Sequence, residues 1–176
     1  MLRTPRAVTI GRLRRRQALR LGLGGSVIAM LGGLGGAFGA FFRPTREAGF
    51  GGVVEAGPLD AILAHFGERD DEPFLVTRGR YYLLHAPDGL LAAFRRCTHL
   101  GCTYRFEASE DQFDCPCHSS VFDKRTGVVL GGPATRPLDL FPIEIVDGVV
   151  SVNTDPRDGN LIRRSRYEPA QATPVS

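Results

Sequence analysis

FDCPCHSSVFD, residues 113–123, sets two cysteines one residue apart, with a histidine directly after the second. Cysteines this close rarely bond to each other, and one ion seldom uses both. Cys115, Cys117 and His118 must therefore divide between different tasks. Upstream, CTHLGC (97–102) supplies Cys97, His99 and Cys102, and with these the chain's four cysteines are accounted for. Cys-x-His followed by Cys-x-x-His presents two thiols and two imidazoles from two loops. The spare cysteines, Cys102 and Cys117, lie one in each loop, where a linkage between them would staple the loops together.

Three chemistries compete for this pattern. A structural zinc site accepts two Cys and two His, but leaves two further thiols without a role. A plain disulfide domain with two bridges leaves both histidines unexplained. A Rieske centre, in which two histidines replace two cysteines on one iron of a 2Fe–2S cluster, uses all six residues.

The rest of the chain reads in sections. Arg3, Arg6, Arg12, Arg14, Arg15, Arg16 and Arg20 precede any acid, Glu47 being the first, so the net charge of +3 hides a basic arm (1–20) and an acidic remainder. Such an arm can bind nucleic acid, but LGLGGSVIAMLGGLGGAFGAFF (21–42) follows it without a charge. As a helix this stretch is about 33 Å long, enough for a hydrocarbon core of roughly 30 Å. It is read as a retained transmembrane helix with its N-terminus in the cytoplasm and no nucleic-acid partner. Gly25, Gly33, Gly32 and Gly36 offer small-residue spacings for close helix approach. RPTREAGFGGVVEAGP (43–58) reads as a flexible hinge, and residues 59–66 as a helical turn or an irregular strand.

From Phe74 the pattern is β. FLVT, YYLLHA, LLAAFR, LDLFPIEIV and VVSVN read as strands, with APDG and Asp147-Gly148 as turns. The expected fold is all-β: an antiparallel sandwich head (59–154) with a small cluster-binding subdomain, preceded by one transmembrane helix. Residues 155–176 read as a polar surface tail or a partner contact, with disorder as the default.

The chain resembles the Rieske iron–sulfur subunit of a cytochrome bc complex, a quinol–cytochrome c oxidoreductase. CTHLGC and CPCHSS carry the likeness, together with the twin-arginine-type export pattern RRRQALRL, the single span and the glycine-rich hinge. The resemblance implies one Rieske-type 2Fe–2S cluster, with Cys97 and Cys115 on the inner iron and His99 and His118 on the outer. It further implies a Cys102–Cys117 disulfide, which needs an oxidising compartment. His118 is then the quinol contact, and an added electron raises the affinity of its free nitrogen for a proton, coupling the two. The electron passes from quinol at a cytochrome b subunit to a c-type cytochrome. The head swings on its tether outside the bacterial cytoplasmic membrane, within a dimeric complex.

Residues around the ligands tune the centre. Ser120 matches the family serine that donates to a bridging sulfide. Phe122 stands where high-potential members carry tyrosine, so a lower potential and menaquinol rather than ubiquinol are expected; core packing is its plainer role. Leu100 is expected to shield the cluster and press on the quinol site, with a routine core leucine as the alternative. GGPATRPL (131–138) resembles the proline-rich covering loop, keeping Pro133 but placing Thr135 where a second proline is usual. His65 and His85 receive no ligand role. The competing assignment is a Rieske small subunit of a periplasmic oxidase of the arsenite oxidase type.

Overall fold

The uncharged run forms α1 (Arg15–Phe41), 27 residues long and so about 40 Å at 1.5 Å per residue. The computed structural model describes residues 15–41 and 50–175. Most of the basic arm, Phe42 at the end of the expected span, the first part of the hinge (43–49) and Ser176 lie outside them. α1 starts ahead of the expected boundary at Leu21, since Arg15, Arg16, Gln17, Ala18, Leu19 and Arg20 are all good or adequate helix formers. Its segment Arg15–Gly36 is long and apolar enough to cross a membrane. Leu23, Ile28, Met30 and Leu34 are exposed on it, and Ser26 returns its hydroxyl proton to the Gly22 carbonyl at 2.7 Å. That local bond satisfies the hydroxyl without water.

The head forms a separate unit built on three antiparallel sheets. β1 (Val53–Pro58), β11 (Val149–Asn153) and β10 (Ile143–Val146) make the first, in the order β1-β11-β10. The second runs β2 (Phe74–Val76), β3 (Tyr81–Ala86), β4 (Gly89–Phe94), β9 (Leu140–Phe141). β5 (Arg105–Glu107), β6 (Gln112–Asp114), β7 (Val121–Asp123) and β8 (Val129–Gly131) make the third, which carries the cysteine loops.

The second sheet is covered on both faces, which explains why YYLLHA and GLLAAF read as continuous apolar runs rather than as alternation. Tyr82, Leu84, Leu91 and Ala93 face one core, shared with Cys97, Tyr104, Phe113, Cys115 and Phe122. Tyr81, Leu83, Leu90 and Ala92 face the other, with Val54, Ile62, Phe66, Val150 and Val152. The first core thus joins the sheet to the cysteine loops. Each fully buried large side chain contributes about 1.5–3 kcal/mol.

Asp147 and Gly148, both at positive φ (50° and 76°), close the final hairpin between paired Val146 and Val149, the two-residue turn expected of Asp-Gly. Leu59–Glu68 is α2, burying Ile62 and Phe66 one turn apart.

Two expectations need correction. The hinge drawn to residue 58 is too long: 53–58 is a strand, with Val54 buried opposite Val152. Its glycine serves order here, for Gly57 (φ 136°) sits where the register with β11 shifts. The segment from Asp155 is likewise no loose tail. Leu140 and Ile162 exchange main-chain bonds at 3.0 and 2.8 Å, and Leu90 and Thr173 do so at 2.9 Å each way. Arg164 is buried, its Nε donating to the Leu138 carbonyl at 2.8 Å. Polar composition hid this because main-chain pairing and the buried Arg164 hold much of the segment, with only scattered apolar residues, Leu161, Tyr167, Ala172 and Val175, packed on the cores.

Candidate metal centre

Loop one (95–104) joins β4 to β5, and loop two (115–120) joins β6 to β7. The two are built alike. In loop one the Cys97 N–H donates to the Cys102 carbonyl at 2.8 Å, and the Gly101 N–H donates to the Cys97 carbonyl at 2.9 Å. In loop two Cys115 N–H reaches Ser120 O at 2.9 Å, and Ser119 N–H reaches Cys115 O at 3.0 Å. Gly101 (φ 83°) and Ser119 (φ 55°) occupy the same left-handed position in the two loops. This repeat was legible in principle as the fourth residue after each leading cysteine, but serine at 119 concealed it.

The ring pair His99 and His118 stands at the outer end, centroids 4.9 Å apart and nearly perpendicular at 87°. His99 is half-buried and His118 exposed. Cys97 and Cys115 are buried free thiols. Cys102 is disulfide-bonded to Cys117, Cα atoms 6.5 Å apart. The sulfurs of Cys102, Cys115 and Cys117 lie within 4.8 Å of one another, yet two of them are spent in that bond, so this grouping is no ligand set.

A third loop, 131–138, is tied to both. Thr98 Oγ1 donates to the Arg136 carbonyl at 2.7 Å, and the Ala134 N–H donates to Ser120 Oγ at 3.2 Å. Gly132 lies so close to loop two that a Cβ there would stand 2.3 Å from the Ser119 carbonyl oxygen. Pro133 and Thr135 of this loop are exposed. Leu100 is 69% exposed at the tip of loop one. Ser120 and Phe122 are fully buried behind the ligands, with the Phe122 ring 6.0 Å from that of Tyr104. His65 and His85 are engaged elsewhere, with the Glu72 carbonyl (3.0 Å) and Asp71 (2.6 Å) respectively.

Burial pushes the Cys97 thiol up from its ordinary value; the Cys115 thiol adds to the rise, while the His99 main chain and the Ser120 hydroxyl oppose it. His99 Nδ1 is buried without a hydrogen-bond partner among the described residues, a state that costs about 1–3 kcal/mol. Two buried thiols and an orphaned imidazole nitrogen, with a second imidazole beside it, fit an iron–sulfur group: iron would replace the thiol protons and take up the idle nitrogen.

Two buried thiols and a pair of neighbouring imidazoles are the donor set that a Cys₂His₂ iron–sulfur protein needs. The profile of the Rieske [2Fe-2S] domain matches residues 61–142. The cytochrome b6-f complex iron-sulfur subunit 1 of Synechocystis sp. is 32% identical over 161 residues, covering 82% of this chain and 89% of that protein. The cyanelle iron-sulfur subunit 1 of Cyanophora paradoxa is 33% identical over 159 residues, covering 78% of this chain; the chain spans only 62% of that protein's length. Among solved structures, the plasma membrane Rieske protein PetC3 from Synechocystis PCC 6803 aligns with 56% of this chain and 97% of its own, at 24% identity and a TM-score of 0.38. The chain belongs to the Rieske [2Fe-2S] protein family.

Proposed function

We propose that the chain is the electron-transfer subunit of a quinol–cytochrome c oxidoreductase, active within that complex. It is held by α1 in the cytoplasmic membrane with the head on the extracytoplasmic side. It takes one electron from quinol at a cytochrome b partner, with release of a proton, and passes the electron to a c-type cytochrome. One observation carries the reading: His118, its ring 4.9 Å from that of His99, is exposed, as is Leu100, while both thiols are buried. The relatives that match along most of their length, named as subunits of b6-f complexes, point the same way.

Cys97, Cys115, His99 and His118 hold the cluster in this reading. Bound there, it supplies a one-electron acceptor in the Rieske range, about −150 to +300 mV. If both rings face iron through the nitrogen that is idle in His99, His118 keeps Nε2 outward. That nitrogen accepts the quinol hydroxyl's hydrogen bond and then its proton. Leu100, exposed at the tip of loop one, presses on the bound quinol and keeps water from the reacting edge. The disulfide and the third loop hold the two ligand loops at fixed separation, so little rearrangement accompanies the transfer.

The test is a reduction experiment on the full chain in detergent. Reduced protein should show the low average g-value signal of a histidine-ligated cluster, and menaquinol should reduce it with proton release to buffer. Zinc or no metal in purified material, or a cluster that no quinol reduces in the presence of the cytochrome b partner, would overturn the reading.

Phe122 bears on the donor. Its ring is buried against the site but brings no hydroxyl, so one hydrogen bond to a ligand sulfur is missing, which favours menaquinol over ubiquinol. Phe122→Tyr is expected to raise the midpoint potential by tens of mV, about 59 mV being tenfold in a one-electron equilibrium. Redox titration followed by EPR reads the change. An unaltered potential would return Phe122 to a packing role.

A further inference from the structure

A hollow of about 780 Å³ opens on the head beside the start of loop one, and arginines line it. Arg96 and Arg163 are exposed there, and neither makes a hydrogen bond or ion pair among the described residues. Arg95 also lines it, its Nε on the Tyr104 carbonyl at 3.3 Å and its guanidinium 5.8 Å from the centre of the Tyr82 ring. Among the described residues no carboxylate joins the lining. Arg136, in a smaller hollow that shares Arg96 and Arg163, gives the contrast: both of its terminal nitrogens are on Asp139.

The local structure makes room for these charges. Gly101 leaves free the space that Arg96 occupies, for a Cβ there would stand 2.6 Å from Arg96 Nε. Apolar groups share the lining. Phe50 and Phe94 stack at 5.7 Å between centroids, and both pack with Leu161 on the second core. Uncommitted guanidinium groups match the oxygens of a phosphate in paired hydrogen bonds. Set beside rings and an aliphatic side chain, they suit an anion that carries hydrocarbon. The volume is that of a small-molecule site, and a concave hollow differs from the patch of about 800 Å² that a protein partner covers.

The chain itself is tied to a source of such molecules. Only residues 42–49 separate the end of α1 at Phe41 from Phe50, a stretch that spans at most about 30 Å. A hollow that Phe50 lines is thereby tethered within reach of the lipid headgroups around α1. We propose, given α1 as a membrane anchor, that this hollow binds the phosphate of an anionic phospholipid. Arg96 and Arg163 hold the phosphate, and the Phe50–Phe94 stack with Leu161 receives the glycerol and the adjoining chain carbons. A lipid so held keeps the head near the membrane surface and engages none of the cluster ligands.

The test is calorimetric titration of the full chain in neutral detergent with dihexanoylphosphatidylglycerol, dihexanoylphosphatidylcholine and inorganic phosphate. The anionic lipid should bind saturably, and the other two more weakly by roughly tenfold or more. Arg96→Gln/Arg163→Gln should weaken the anionic lipid by a similar factor. Arg105→Gln, at an exposed arginine outside the hollow that faces Glu107 at 3.8 Å, should keep the parent's affinity. Should the double variant unfold, Arg163→Gln decides alone, since that side chain bonds to nothing described. Lack of saturable binding, an unchanged affinity in Arg163→Gln, or an equal loss in Arg105→Gln would overturn the assignment. Inorganic phosphate binding as tightly as the lipid would make this a free-anion site, and polyglutamate displacing the lipid at lower concentration would make it a protein-docking site; either result also overturns it. Release of the full chain from phosphatidylcholine vesicles by alkaline carbonate would instead strike at the anchor reading, while the titration still decides whether the hollow takes the lipid.

Discussion

His99→Ala is expected to give a folded head that carries no cluster. The main-chain bonds of loop one, Cys97 N–H to Cys102 O and Gly101 N–H to Cys97 O, do not involve the imidazole. The loop is also tied to its neighbours through Thr98 and through the disulfide. The apoprotein's stability should therefore stay within about 1 kcal/mol of the parent, the ring contact with His118 being the packing that is lost. Removing an orphaned nitrogen even relieves a penalty. Iron content and the visible and EPR signatures should fall to near zero, since one iron loses half of its protein ligands. Denaturant unfolding beside iron analysis separates the two effects. A variant retaining the parent's colour and magnetic signature would remove His99 from the ligand set, and with it the central assignment.

The second large effect concerns the bridge between the loops. Cys102→Ser is expected to lower stability by about 3 kcal/mol, the chain-entropy value for a closed loop of this size, the two cysteines lying 15 residues apart. For a domain of this size the melting temperature should drop by roughly 10 °C. The loss should be matched by treating the parent with a thiol reductant, and the reductant should have no further effect on the variant. Cluster retention should fall as well, because Cys117 stands between Cys115 and His118, and freeing it loosens both. If the parent and Cys102→Ser melt together under oxidising conditions, the bridge carries no stability and the loops are held by the third loop alone.

Much of this site could be read before any coordinates, because the ligand residues are rare types at fixed short spacings and chemistry leaves few ways to use them. The strands were equally plain where burial writes long apolar runs, as in β3 and β4, or where Asp147-Gly148 closes a two-residue turn. What escaped notice involved contacts between distant segments. No local pattern announces that Arg164 will meet the carbonyls of Leu138 and Thr126. Nor does any announce that Gly132 must lie against Ser119, or that Tyr104 will be sealed among three rings with its hydroxyl idle among the described residues. Gly57 and Pro58 misled for a related reason: the residues that make a linker pliable also let a strand bulge and end cleanly before a helix.

The last twenty residues also bear on how the head can be handled as a fragment. A protein cut at Asp155 would look complete by its strand pattern, yet it would bare the Leu140 border of one sheet and leave the Leu138 and Thr126 carbonyls facing a void. Raw sheet borders recruit other chains, so such a fragment would tend to stick to copies of itself. The final segment is better regarded as a seam stitched over the rim of the head.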